Sequence, residues 1–177
     1  MAIFRISDEN ALDYVAIRDG GITIYRNLGY LEEDMQWLRD RSYRIHRVEC
    51  ANWVSENAMH ESLQDTLSFP DYYGKNFDAL NDVVTDIEVP DDGGVALVLT
   101  SYDRYANGPG NSLAGSGARH SEIILDILSR ASHTFLLNGK RFLTMIQSND
   151  PYMHYGKLGG HAPGWNWREW SNKDRGL

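Results

Sequence analysis

The sequence predicts an α/β fold: a small parallel three-stranded sheet with helices packed on it, preceded by an N-terminal β-hairpin. Three observations carry this expectation. Val95-Ala96-Leu97-Val98-Leu99-Thr100 is an unbroken apolar run, which suits a strand buried on both faces and therefore a parallel sheet covered by helices. Between about 43 and 147, extended and helical patterns alternate in the order strand, helix, helix, strand, helix, strand. Near the start, β-forming residues flank Asp19-Gly20-Gly21, a turn chemistry that favours two antiparallel strands.

In chain order, Tyr14 to Arg18 and Ile22 to Arg26 are the expected hairpin strands. Leu31, Met35 and Leu38 share one helical stripe, so a short helix should run to about Arg39, with Glu32, Glu33 and Asp34 suited to its first turn. Tyr43 to Val48 alternates and should open the sheet, and Cys50 reads as a small buried hydrophobe at the strand's end. Ser55 is placed to cap a helix whose inner face is Met59, Leu63 and Leu67, with His60 an ordinary, partly exposed side chain. After the buried strand, Asn107 to Gly117 is Gly-rich and reads as a mobile surface loop. Ser121 should cap a helix with Ile124, Ile127, Leu128 and Ala131 inside, and Lys140 to Gln147 gives the last strand. These elements divide the chain into an N-terminal extension over 1–40, an α/β domain over 41–148 and a Trp-rich C-terminal extension over 149–177.

The stretch from Leu67 to Ile87 is the one that suggests chemistry. Pro70 and Gly74 shape a loop, and Asn76 can cap a helix that begins near Phe77. Phe77, Leu80, Val84 and Ile87 form an apolar stripe facing a core. Asp78, Asp82 and Asp86 recur every four residues on a neighbouring stripe, where like charges repel by roughly 0.2 to 0.5 kcal/mol per pair. No Lys or Arg is spaced to relieve them. Ten of the acidic residues lie between Ser55 and Asp92, against the single base Lys75, so this block accounts for the whole net charge of −8. A solvated helix more often mixes its signs.

Composition excludes several functions. With a pI near 5.1 the chain lacks the cations that grip a nucleic-acid backbone. Its length and 42% apolar content suffice for a sizeable core. It has no apolar run of membrane-spanning length, and its first residues lack the plan of a secretory signal. One cysteine allows no internal disulfide and fits a reducing, cytoplasmic setting. No enzyme chemistry is apparent. Gly110-Asn111-Ser112-Leu113-Ala114 lacks the second glycine of a nucleophile elbow, and nothing would desolvate Asp78 or Asp82 to split their pKa values. His154, His161 and Asp150 match no established zinc spacing, and the glycines of 107–117 match neither phosphate-binding pattern. No metal and no cofactor are expected.

Pro70-Asp71-Tyr72-Tyr73-Gly74-Lys75-Asn76-Phe77-Asp78-Ala79-Leu80-Asn81-Asp82 resembles the signature loop and second helix of barstar-type ribonuclease inhibitors. The resemblance extends over about 43–147, and the tail from Gly160 to Trp170 is similar to the Trp-rich ends of some longer bacterial barstar-like proteins. It implies a barstar-like sheet and a cytoplasmic inhibitor, monomeric when unbound, that blocks the active site of a basic ribonuclease or other nuclease as immunity protein or antidote. In that family the acidic helix puts carboxylates where RNA phosphates would sit. Carried onto this chain, the implied partner-binding residues are Tyr72, Tyr73, Gly74, Asn76, Asp78, Asn81, Asp82 and Thr85, with Asn76 shaping the loop and Asp82 inserted deepest. The chain departs from the pattern at Asn81, where barstar carries a tryptophan, at Lys75 in the loop, and at Arg130, near where barstar supplies a further glutamate. Two other readings stay open: a nucleotide or small-ligand-binding α/β domain using the Gly-rich loop, and a single-stranded RNA binder stacking bases on Trp165, Trp167 and Trp170.

Overall fold

A computed structural model of the chain describes residues 4–115 and 117–171. Its centre is a five-stranded sheet in the order β2-β3-β4-β1-β5. The strands are β1 (Ile22–Tyr25), β2 (Tyr43–Glu49), β3 (Gly94–Thr100), β4 (Phe142–Gln147) and β5 (Gly164–Trp165), and every pairing is parallel. The three strands expected from sequence are the contiguous half β2-β3-β4. The sheet is larger than expected because both flanking segments add a strand to it.

Strand β3 shows why a parallel sheet forms. Its side chains alternate between two cores, as the two-residue period of a strand requires: Val95, Leu97 and Leu99 face one layer, Ala96 and Val98 the other. The first layer holds α3 (Glu56–Leu67), α4 (Phe77–Val83), α5 (Tyr102–Ala106) and α6 (His120–Leu137). The second holds α1 (Leu12–Arg18) and α2 (Leu28–Arg39). With both faces covered, an all-apolar strand leaves nothing greasy in water.

The N-terminal hairpin does not exist. Leu12 to Arg18 is helix α1, with Asp13, Ala16 and Ile17 buried along one face, and Ile22 to Tyr25 pairs in parallel with Thr144 to Gln147 of β4 instead of with residues 14–18. Tyr14-Val15-Ala16-Ile17 has local β preference, but burial of Ala16 and Ile17 against the sheet overrides it. Gly20 and Gly21, at φ +99° and +78°, form the turn all the same. They end a helix in the left-handed conformation that glycine tolerates and do not close a hairpin.

The C-terminal segment is tied across β1 and α2. Asp34, on α2, accepts hydrogen bonds from Tyr25 Oη at 2.9 Å and Asn166 Nδ2 at 2.8 Å and pairs with Arg168 Nη2 at 2.6 Å. Arg168 also pairs with Glu33 at 2.6 Å and donates to the carbonyl of Tyr30 at 3.0 Å. The buried carboxylate of Glu169 accepts from the backbone N–H groups of Arg26 and Asn27. Burial nonetheless raises the pKa of Asp34, outweighing these partners. Helix α2 is capped by Asn27, so Glu32, Glu33 and Asp34 fall in its second turn and not its first.

Other sequence expectations shift by small amounts for local reasons. Cys50 is buried just beyond β2. Helix α6 begins at His120, one residue before Ser121, and Ser121 is buried inside it. Part of the Gly-rich loop is anchored: a Cβ on Gly110 would lie 2.2 Å from the carbonyl of Trp53, and buried Asn111 accepts the N–H of Ser121 at 2.9 Å. Among the described residues no helix is long and apolar enough to cross a membrane.

Candidate protein-binding face on the acidic helix

Helix α4 starts where a side chain can satisfy its free N–H groups. Asn76 has extended backbone angles and its Oδ1 accepts the N–H of Ala79 at 2.8 Å, while its Nδ2 donates to the carbonyl of Gly74 at 3.2 Å. One side chain thus closes both the loop and the helix end. Leu80 and Val84 are fully buried and Val83 nearly so, with Phe77 and Ile87 packed against the same core. Regular helix ends at Val83 and continues as one 3-10 turn, Val84–Asp86, tightened by a hydrogen bond from Thr85 Oγ1 to the carbonyl of Asp82 at 2.9 Å.

With that stripe inward, Asp78, Asn81, Asp82 and Asp86 are exposed. Among the described residues, no ion pair reaches Asp78, Asp82 or Asp86; the nearby cation Lys75 instead pairs with Glu61 at 3.1 Å. Tyr72, 85% exposed, lies in the loop that leads into this helix. The result is a row of carboxylates without an ion pair among the described residues, on a segment whose other side is packed in the core.

The loop before the helix is held mainly by one neighbour, α3. The N–H of Phe69 donates to the carbonyl of Gln64 at 3.0 Å, and Gln64 Nε2 donates to the carbonyl of Pro70 at 3.2 Å. Tyr73 N–H reaches the same Pro70 carbonyl at 2.9 Å. Left-handed backbone falls on Ser68 and Lys75, at φ 56° and 47°, and not on Gly74. At Gly74 a Cβ would lie 3.2 Å from Asn76 Nδ2 and 3.4 Å from Ala79 Cβ, so a side chain there would press on the capping amide.

Two sequence expectations are corrected here. Tyr73 is not a surface ring, since it is only 6% exposed and its hydroxyl lies 2.5 Å from His60 Nδ1. The alternation of Tyr72 out and Tyr73 in follows from packing, because Tyr73 completes a cluster with Phe69 and His60. His60 is fully buried, not half-exposed. Burial holds its imidazole below the ordinary pKa, against the pull of Glu56, and the same cause raises the hydroxyl pKa of Tyr73. The helical period could have found His60, because it lies three and seven residues before Leu63 and Leu67 on the stripe that faces the core.

Features behind the other readings are occupied internally. Glu122 Oε2 accepts the N–H of Arg119 at 3.1 Å, so a carboxylate already sits at the start of α6 beside the Gly-rich loop. Trp167 and Trp170 are exposed, but Arg168 between them is committed to Asp34 and Glu33; Lys173 and Arg175, the other cations of that tail, lie outside the described residues. Arg130 pairs with Asp126 at 2.7 Å. Among the described residues no group of three or more His, Cys, Asp or Glu side chains could hold a metal ion.

A parallel α/β sheet whose first helical layer presents a tyrosine loop followed by an acid-faced helix defines a barstar-type protein. The family model for barstar, the barnase inhibitor, matches residues 43–147, more than half of the chain, and the chain belongs to that family. It is also similar to a Bacillus subtilis (strain 168) protein named "Putative ribonuclease inhibitor YrdF", with 34% identity over 85 residues, or 48% of this chain and 80% of that relative. Strands β2, β3 and β4 lie within the matched span, and β1 and β5 lie outside it.

Proposed function

We propose that this protein inhibits a basic ribonuclease by laying helix α4 and its preceding loop across the enzyme's active site. The observation that carries the reading is the exposure of Asp78, Asp82 and Asp86, without an ion pair among the described residues, on the segment that follows the exposed ring of Tyr72. An active site built to bind RNA offers cations to phosphate and apolar surface to bases. On this reading the carboxylates accept charge-assisted hydrogen bonds from Arg, Lys or His of that site, with Asp82 inserted deepest and Asp78 beside it. Tyr72 packs where a base would. Asn81, Thr85 and the backbone of Tyr73 and Gly74 complete the contact, and Asn76 and the Tyr73 side chain hold the loop. The concentrated negative field speeds encounter, and the anchored loop lowers the ordering cost of docking. The partner-binding unit is assigned to 41–148, flanked by 1–40 and 149–177, and its cellular role is that of an immunity protein or antidote in the cytoplasm.

The test is direct. The chain should abolish RNA cleavage by its cognate basic ribonuclease at one-to-one stoichiometry, with an association rate that falls as salt is raised. Screening small basic ribonucleases, first among them any encoded beside this chain, supplies the enzyme. Failure to bind any of them, or binding insensitive to salt, would overturn the reading.

A further inference from the structure

Beneath the loop lies a cluster of titratable groups that the proposed contact does not use. His60 on α3 is fully buried and His120 on α6 is 6% exposed. Each presents Nε2 at 3.7 Å to a different oxygen of one carboxylate, Glu56. The ring of Phe77, the first residue of α4, lies 5.3 Å from His60 and 4.9 Å from His120. On the opposite side, His60 Nδ1 meets the Tyr73 hydroxyl. Lys75, paired with Glu61, is the other charge that acts on this ring. The two imidazoles therefore touch both ends of the turn from Tyr73 to Phe77.

We infer that His60 is a positioning residue of the docking loop, holding Tyr73 through Nδ1, and that His60, His120 and Glu56 together make the geometry of residues 69–77 depend on pH. The inference rests on the reading of this loop as the docking surface only for its consequence, not for its mechanism.

A neutral His60 can accept a hydrogen bond from the Tyr73 hydroxyl on Nδ1 while its Nε2–H faces Glu56. A protonated ring carries N–H on both nitrogens. Tyr73 must then turn from donor to acceptor, leaving its own hydrogen in an apolar cluster, and the Glu56 contact at 3.7 Å must close to become a hydrogen bond. His120, the first residue of α6, faces the other oxygen of the same carboxylate at 3.7 Å, so Glu56 cannot move toward one ring without leaving the other. Burial lowers the pH at which His60 protonates, and the rearrangement then reaches Tyr73 and Phe77 together.

The decisive experiment uses the free chain. Histidine Cε1 and backbone amide resonances are followed from about pH 7.5 to 5 in wild type, Glu56→Gln and His60→Asn. The expected result is that the amides of Tyr73, Lys75 and Phe77 shift with the midpoint of His60 and lose exchange protection below it. Glu56→Gln, a substitution at a half-exposed surface position, should move that midpoint lower, and His60→Asn should abolish the pH response. Loop amides that stay fixed while His60 titrates would overturn the inference, as would a midpoint unchanged by Glu56→Gln. Because no nuclease is present, failure of the inhibitor reading would be seen elsewhere; if that reading holds, the complex should also dissociate faster at the acid end in wild type and not in His60→Asn.

Discussion

Removing Asp82 should have opposite effects on the fold and on binding, and the opposition makes Asp82→Ala an informative substitution. In the free protein Asp82 is exposed and has no ion-pair partner among the described residues. It stands four residues after Asp78 and next to the last residue of α4. Losing it removes a repulsion of roughly 0.2 to 0.5 kcal/mol with Asp78, and a negative charge at the unfavourable end of a helix costs a similar amount. Alanine also has the higher helix propensity, by about half a kcal/mol. The variant should therefore be more stable than wild type by about 1 kcal/mol, read from urea denaturation. Binding to the cognate ribonuclease should weaken by at least about 2 kcal/mol, the usual threshold for an interface hot spot and close to a thirtyfold rise in Kd. Most of that loss should appear as faster dissociation in a surface-binding assay. Unchanged affinity would refute the placement of Asp82 at the centre of the contact. A large drop in stability would refute the account of α4 as a ridge held by its apolar side alone.

Leu80→Ala tests that apolar side: Leu80 is fully buried, so truncation should cost about 2 to 5 kcal/mol in denaturant unfolding. Arg168→Ala leaves Asp34 buried without its main counter-charge, which should lower stability by about 3 kcal/mol and lower the protection of β1 amides in hydrogen exchange. Stability should also fall on mild acidification. The folded-state pKa values of His60 and His46 are both depressed, chiefly by burial, so the unfolded chain takes up protons first. The contribution is intact above the ordinary histidine value of 6.5 and is lost as pH falls through it, levelling off below the folded pKa. Urea midpoints between about pH 8 and 5 should decline accordingly, whereas carboxylates with lowered pKa values, such as Glu61 paired with Lys75, act only in stronger acid.

The sequence made the centre of the fold legible and the periphery much less so, and the division has a physical basis. Val95 to Thr100 reads as a doubly buried strand because its apolar run is short and no solvent-facing register exists for it. The α4 cap and stripe were legible because Asn76, Leu80 and Val84 act within one turn or two of each other. Residues 12–25 misled for the converse reason: their local preference is for strand, and the partner that decides the matter, β4, lies about 120 residues away in the chain. No spacing rule announces that Asp34 will meet Asn166 and Arg168, or that Glu169 will accept from Arg26 and Asn27. At the candidate site, the exposed aspartates followed from periodicity, but the inward turn of Tyr73 depended on a histidine on another helix.

The separation of the acidic face from its supports explains how such a face is tolerated. Among the described residues Asp78, Asp82 and Asp86 make no ion pair, and their mutual repulsion is small beside the burial of Leu80, Val83 and Val84, each side chain contributing roughly 1.5 to 3 kcal/mol when taken from water. The loop is fixed mostly by hydrogen bonds drawn from α3 at Gln64 and His60 and by the Asn76 cap, so none of the exposed carboxylates is needed to shape it. The aspartates of this ridge can therefore vary with a partner while the backbone that presents them stays in place. The same logic accommodates Asn81: exposed on α4 and outside the core, it alters what the face presents without altering how the face is held.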